Sequence, residues 1–249
     1  MQPDHEDSVQ VNKRHWDVWA RRDWPYKTER LKLIKESGQY LEEFEPKLAP
    51  YLQDIKGKNV IVLQFGDGLV MLTCAKRGAT VTGVDLSAEQ IKMAKEAAAY
   101  CDVAVDLIEA DCQNLPATVQ SDHFDFAVAE CGIFCWIQNP KTWMRSAYRV
   151  LKYGGILALS DFHGVSQVAE ENEGRVTFRK SYFDQGPQTR THENHVPPSI
   201  EFVWKLSDII NAAIQAGFKI DRVEEFYWEK EGTKAPLLPT DYLLVATKE

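Results

Sequence analysis

No run of about 18 apolar residues occurs in the 249-residue sequence, so it predicts no membrane-spanning helix. Its opening, MQPDHEDS, is acidic and polar where a secretory signal would be basic and then apolar. Both absences point to a cytoplasmic protein that does not engage a membrane. Cations are also in short supply, with 29 Lys and Arg against 37 Asp and Glu and a formal net charge of -8. A chain of that balance cannot neutralise many phosphates, which argues against a nucleic-acid partner and for a small-molecule one. The five cysteines, Cys74, Cys101, Cys112, Cys131 and Cys135, are odd in number and form no C-x-x-C pair. Most sit in apolar segments, and the reading is of buried, reduced thiols and no metal centre. The sequence has no internal repeat and no low-complexity segment.

What is present is organised around Asn59 to Ser87, NVIVLQFGDGLVMLTCAKRGATVTGVDLS. An apolar run from Val60 to Leu63 meets a Gly66-Asp67-Gly68 turn, then a helical segment, then a second apolar run that stops on Asp85. This predicts a strand, loop, helix and strand with an acid at the tip of the second strand, as in parallel sheets that hold an adenosine ribose.

Upstream, residues 1 to about 10 read as a mobile tail. NKRHWDVWARRDWPY then predicts a helix carrying Trp16 and Trp19 on one face, with Trp24 and Tyr26 nearby. Further helices are expected over Thr28 to Phe44 and Pro46 to Leu52, so residues 1–56 form an N-terminal tail and helical cap. Residues 57–249 form the main domain. In it, Ser87 caps a helix over Ala88 to Tyr100, and strands are predicted at Val103 to Glu109 and Phe124 to Glu130. A helix over Lys141 to Leu151 is stopped by Tyr153-Gly154-Gly155, ahead of a strand over Ile156 to Ser160. Residues 164–201 lack periodicity and contain Pro187, Pro197 and Pro198, which predicts a lid or substrate-facing insert. A helix over Phe202 to Gly217 follows, and then strands over Phe218 to Trp228 and Tyr242 to Thr247, antiparallel neighbours joined by a short return over Lys230 to Pro239. The fold class is therefore α/β, a Rossmann-like, mostly parallel sheet of seven strands with helices on both faces and an antiparallel last strand.

The ligand follows from detail. Met71 stands where a dinucleotide fingerprint needs its third glycine, and no Lys-Ser or Lys-Thr follows the turn, so pyrophosphate and P-loop sites are excluded. A nicotinamide-dependent reductase is correspondingly the weakest reading. An adenosine with a zwitterionic tail suits the turn better.

Residues 57 to 163 resemble the class I S-adenosylmethionine-dependent methyltransferases. The motifs that carry the likeness are GKNVIVLQFGDG, VTGVDLS, IEADCQNLP, FDFAVAECGIFCWI and RVLKYGGILALSDFH. WDVWA, SYFDQGP and the closing helix and strand resemble a bacterial, small-molecule branch. The resemblance implies S-adenosylmethionine as cofactor. Gly66 and Gly68 would admit its methionine portion, Asp85 its ribose hydroxyls, and Asp111, with Cys112 beside it, its adenine amino group. Leu86 would lie on the adenine face. The family commonly has an acid at the position of Val62 and a glycine at that of Gln64. The ammonium is therefore expected to fall to Asp67, to Glu130, or to a backbone carbonyl near Gln64.

Displacement at a sulfonium rewards alignment, and it needs a base only where the acceptor carries a proton. Candidate bases are His163 and Glu130, with His192 and His195 available from the insert. Trp19, Trp136, Tyr182 and His195 are expected to line an acceptor pocket, along with Phe134 and Phe183. The reading is methyl transfer to a nitrogen or oxygen of a small molecule. A cofactor-binding protein without catalysis and a protein methyltransferase are the alternatives.

Overall fold

The structure, a computed structural model, describes residues 5–21, 24–172, 174–193, 195–227 and 237–249. The side chains of Trp24 and Tyr26, residue Trp228 and most of the return over Lys230 to Pro239 lie outside that description.

Seven strands form one sheet. They are β1 (Asn59–Leu63), β2 (Thr80–Asp85), β3 (Asp106–Glu109), β4 (Phe124–Glu130), β5 (Leu151–Phe162), β10 (Phe218–Phe226) and β11 (Asp241–Lys248). Their order is β10-β11-β5-β4-β1-β2-β3. β11 lies between β5 and β10 and runs antiparallel to both, while the β3-to-β5 pairings are parallel. Chain order reverses between β1 and β4, and such a switch point opens a crevice beyond the strands' carboxyl ends.

Alternation along each strand supplies two cores. Val60 and Val62 of β1 face one side with Val128 and Leu243, and pack under α2 (Trp24–Ser37), α3 (Tyr40–Phe44), α4 (Leu69–Lys76) and α5 (Ala88–Tyr100). Ile61 and Leu63 face the other with Ala127, Leu159 and Leu244, beneath α6 (Pro140–Val150) and α7 (Leu206–Ala216). Helices therefore cover both faces, as the alternation of elements predicts.

Several boundaries differ from expectation. The tail reading fails from His5 onward, because α1 (His5–Trp19) begins there. The single helix expected over Thr28 to Phe44 is two, broken where Gly38 takes φ +68 and returns its N–H to the Ile34 carbonyl at 3.0 Å. Pro46 to Leu52 yields only a 3-10 turn, Ala49–Tyr51. β3 starts three residues later than predicted, at Asp106. α6 ends at Val150, and the strand begins at once with Leu151 paired to Phe124. Gly154, at φ +75, sits inside a strand irregularity and does not stop the helix. The insert holds two small antiparallel sheets, β6 (Ala169–Asn172) with β7 (Arg175–Phe178) and β8 (Gln188–Arg190) with β9 (Ser199–Glu201). Phe202 to Trp204 are not helical. The Phe202 N–H donates to the Cys135 carbonyl at 2.8 Å and the Trp204 indole to the Ile137 carbonyl at 2.8 Å, and α7 starts only after them.

Met71 acquires a packing role. A Cβ placed on Gly83 of β2 would lie 2.2 Å from the Met71 sulfur. The close approach of helix to sheet that a dinucleotide motif obtains from a helix glycine is here obtained from a strand glycine, with the bulky partner on α4. Gly83→Ala is expected to lower stability by about 1–3 kcal/mol in urea unfolding. Combined with Met71→Ala, the loss should be smaller than the sum of the two single losses, whereas strict additivity would show that the sites do not press on each other.

Candidate active site

The turn after β1 brings three left-handed residues together, Gln64 at φ +53, Gly66 at φ +53 and Gly68 at φ +77. A glycine would meet the demand at position 64 without strain. Gln64 is held there by its amide, whose oxygen accepts from the Trp143 indole at 2.7 Å and whose nitrogen donates to the Ile133 carbonyl at 3.4 Å. Its side chain thus ties the turn to α6 and to the segment after β4. Val62, where the resemblance expects an acid, is buried in the core. Gly68 forms the N-terminal cap of α4 and shapes the turn from behind.

Asp85 ends β2 with its carboxylate turned back on the turn, one oxygen accepting from the Gly66 N–H at 3.1 Å and the other from the Ser87 N–H at 2.9 Å. Burial pushes its pKa up to about 6, against the pull of these N–H groups. After β3, Asp111 caps a short 3-10 turn by accepting from the Gln113 N–H at 2.9 Å, with Cys112 buried beside it.

These residues share one cavity of about 320 Å³. Asp85, Leu86, Asp111 and Cys112 line it at the β2 and β3 side of the sheet edge, and Gln64, Gly66, Asp67 and Glu130 at the β1 and β4 side. The second group is joined by two residues from the N-terminal helices that the sequence did not single out, Arg30 and Glu45. Burial, the nearby Glu45 and Asp67 charges and a hydrogen bond to Glu45 hold the Glu130 pKa well above the usual carboxylate range. Glu45 is raised by burial too, while its bond with Glu130 pulls it down. The two half-buried carboxylates are hydrogen-bonded to each other, and their proximity disfavours ionisation of both at once. Nothing in the EEFEP stretch marks Glu45 until the fold sets it against β4.

The roof of the cavity is α1. Val9, Asn12, Trp16 and Trp19 line it from positions three and four apart. The helix is bolted at both sides. Lys13 donates to the Leu86 carbonyl at 2.9 Å, and Ser87 donates to the Asp17 carboxylate at 2.6 Å. Toward the insert, the Asn12 amide brackets Ile200, accepting from its N–H at 2.8 Å and donating to its carbonyl at 2.9 Å. His15, buried and lowered in pKa by that burial, donates from Nδ1 to the Pro197 carbonyl at 2.9 Å. Its ring stacks on Trp19 and Trp136, each with centroids 5.7 Å away, and His192 approaches it to 4.5 Å. Trp19 and Trp136 therefore line the crevice itself. The His192 ring is bonded through Nε2 to the Ser199 hydroxyl at 2.9 Å.

Five side chains expected at the site lie outside this cavity. His163 Nε2 lies 3.0 Å from the Glu225 carboxylate, and its Nδ1 accepts from the Val165 N–H at 3.1 Å, so both ring nitrogens are engaged in fixing the end of β5. Tyr182 stacks on that ring and accepts the Leu206 N–H at 3.1 Å through its hydroxyl, at the start of α7. His195 is exposed, with its backbone at φ +62. Phe183 is also exposed, and Phe134 packs edge-on to Trp143 in the core. Conversely, Asp161 emerges as an organiser of the site. One carboxylate oxygen accepts from the N–H groups of Gly132, Ile133 and Phe162, each at 2.8 Å, and the other from Phe134 at 2.9 Å. Its position between a strand and an aromatic was legible, but its targets, on the segment after β4, were not.

Comparison with known proteins agrees with this arrangement. Residues 62–159 match the family model for a methyltransferase domain. A ubiquinone biosynthesis O-methyltransferase of Xanthomonas oryzae is 34% identical over 107 residues, 43% of this chain and 44% of that protein. A 2-methyl-6-phytyl-1,4-hydroquinone methyltransferase of rice is 34% identical over 105 residues, 41% of this chain and 30% of that one. The match thus spans less than half the length of these relatives. Among solved structures, an S-adenosylmethionine-dependent methyltransferase from Mesorhizobium loti superposes with a TM-score of 0.66 at 22% identity, over 86% of this chain and 100% of its own. The [4+2]-cyclase SpnF does so at 0.60 and 18% identity, over 84% and 81%. These structural likenesses establish the fold. Residues 62–159, across β1 to β5, thus form a methyltransferase domain, and the glycine turn, strand-end acids and sheet order accord with that match.

Proposed function

We propose that the protein transfers the methyl group of S-adenosylmethionine to a nitrogen or oxygen of a small molecule. The observation that carries this reading is the pairing, in one cavity, of a buried Asp85 at one side with the hydrogen-bonded Glu45 and Glu130 at the other. The donor set fits the cofactor. Asp85 presents acceptor oxygens for two ribose hydroxyls, Asp111 an acceptor for the adenine amino group, and Leu86 an apolar surface for the ring. Glu45, Glu130 and Asp67 form an anionic seat for an ammonium, replacing the acid absent at Val62, and Arg30 supplies a cation for the carboxylate of the same amino-acid moiety. Gly66, at φ +53, lets the backbone approach closely.

When bound, the cofactor supplies an electrophilic methyl on a sulfonium. The chain's part is alignment and exclusion of water. The α1 roof, bolted to Leu86, Ser87 and Ile200, closes the crevice over its ligand. His163, held by Glu225 and Val165, has no such part.

The names of the relatives, which specify a ubiquinone-pathway and a hydroquinone methyltransferase, support a small-molecule acceptor. We also infer that residues 1–56 act as a cap on a methyltransferase unit at 57–249. A second reading, cofactor binding without methyl transfer, is favoured by the shared fold of a protein named as a [4+2]-cyclase. Turnover of methyl-labelled cofactor with a panel of amines, phenols and heterocycles separates the two readings. Label in any acceptor supports transfer, and tight binding without label supports the second.

S-adenosylhomocysteine is expected to raise the melting temperature and NADH to leave it unchanged. Asp85→Ala should weaken S-adenosylhomocysteine binding roughly 100-fold through loss of two charge-assisted hydrogen bonds. Near-normal binding by that variant would move the site elsewhere.

Affinity should also depend on pH. Ribose hydroxyls donate to the ionised Asp85, whose pKa is raised to about 6, so binding is lost as pH falls through that value. The Glu45 and Glu130 pair must yield its proton to seat an ammonium, which acts in the same direction. Calorimetric affinity for S-adenosylhomocysteine is therefore expected to fall from about pH 7 to about pH 5, approaching about tenfold per unit. A flat profile, or one that rises toward acid, would contradict both assignments.

A further inference from the structure

Outside the crevice, the described residues enclose a separate hollow of about 610 Å³, within the size range of small-molecule sites, roughly 300–1,000 Å³. It lies between the 3-10 turn after β3, the start of α6, the insert ahead of β8 and the segment that leads into α7. Among the described residues, Gln113 alone lines both it and the crevice. That residue is buried, and its amide is spent on the protein. Its oxygen accepts from the Asn139 N–H at 3.0 Å, and its nitrogen lies 3.4 Å from the Asp111 carboxylate.

The wall of this hollow departs from the composition of the chain. Charged residues make up 27% of the sequence, yet none of the described residues that line the hollow is charged. Five carboxamides line it instead, those of Gln113, Asn114, Gln138, Asn139 and Gln185, together with Thr142. Asp208, behind Gln185, accepts from that side chain's amide nitrogen and lies 3.5 Å from the Lys205 ammonium, so its charge is already answered.

Part of this polarity is used in folding. The Asn139 side-chain oxygen caps α6 by accepting the Lys141 N–H at 3.1 Å, and the Thr142 hydroxyl donates to the Asn139 carbonyl at 2.8 Å. What remains is of mixed sense. Among the described residues no partner takes the amide nitrogen of Asn139, the amide oxygen of Gln185 or either end of the Asn114 amide, and the Thr142 oxygen keeps its acceptor capacity. One wall is aromatic, from Trp204 and the buried Phe202. The Trp204 indole N–H already donates to the Ile137 carbonyl at 2.8 Å, so the ring offers the hollow only carbon.

This set of groups discriminates among ligands. An ion would lose water and find no countercharge on the wall. A hydrocarbon would strip water from the free amides and return no hydrogen bond. A planar base has two π faces to cover, whereas Phe202 and Trp204 belong to one wall and cannot enclose both. A pyranose carries hydroxyls around its whole rim, each able to donate and accept, which suits donors and acceptors spread over three elements. Its C–H face can rest on the carbon surface of the indole.

We propose that this hollow binds a neutral saccharide, held by Asn114, Asn139, Thr142 and Gln185 against the Trp204 ring, at a site separate from the crevice and independent of what the crevice holds.

The test uses the full chain and a panel of neutral sugars, the methyl glycosides of glucose, galactose and mannose with maltose and lactose, read by saturation-transfer NMR. At least one of them should bind, and its glucosamine or glucuronate counterpart should bind at least about tenfold more weakly for want of a countercharge. Asn114→Ala removes an exposed side chain and should weaken the bound sugar roughly five- to tenfold, the effect of losing one or two hydrogen bonds. Tyr153→Ala, on an exposed ring near the start of β5, should leave affinity unchanged. Crystals of the unmodified chain soaked in that sugar should show the ring against Trp204, and they decide the matter where the variant does not fold. Binding by no sugar of the panel, tighter binding of a charged counterpart, unchanged affinity in Asn114→Ala, displacement of the sugar by S-adenosylhomocysteine, or sugar density confined to the crevice would each overturn the proposal.

Discussion

Two carboxylates, Asp85 and Asp161, are buried at the ends of β2 and β5, a third, Glu130, is half-buried at the end of β4, and an uncompensated charge at a buried site costs several kcal/mol. The solutions differ, and the differences shape the molecule. Asp161 is surrounded by backbone N–H groups and serves as a structural anchor. Asp85 has N–H partners on the glycine turn and stays close to ionising near neutrality, which keeps it ready for hydroxyl donors. Glu130 has an acid for a neighbour, which with burial holds its pKa well above the usual carboxylate range. Compensation from the backbone gives rigidity, and incomplete compensation gives a binding site.

The same logic explains the N-terminal helices. α1 contributes the aromatic roof and is fastened on one side to the β2 end and on the other to β9, so the insert and the sheet are joined through it. Arg30 of α2 and Glu45, just past α3, line the crevice as well. Without these segments the crevice would lose both its cover and half of its charge pattern.

Much of this was legible in the sequence. The glycine turn, Asp85 and Asp111 follow from apolar runs that stop on acids, and the sheet follows from alternation of such runs with helical stretches. Met71 was informative twice, first by excluding a dinucleotide and then as the partner of Gly83. What was not legible depends on distant pairing. Glu45 is one acid among many until the fold sets it beside Glu130. His163 read as a base because it follows a strand, yet Glu225, more than sixty residues later, occupies its ring. Gln64 looked like a defect in the first motif, and its amide turns out to bind the Trp143 indole. The insert's two hairpins carry too few buried residues for period-two alternation to show.

The central claim is that one crevice at the β1 and β4 switch point holds the cofactor between Asp85 and the Glu45 and Glu130 pair. A crystal structure of the chain with S-adenosylhomocysteine tests it most directly. The account predicts both ribose hydroxyls on the Asp85 carboxylate, with the amino-acid group seated among Glu45, Glu130 and Arg30. A ligand bound with its ribose away from Asp85, or with its ammonium remote from both glutamates, would contradict it.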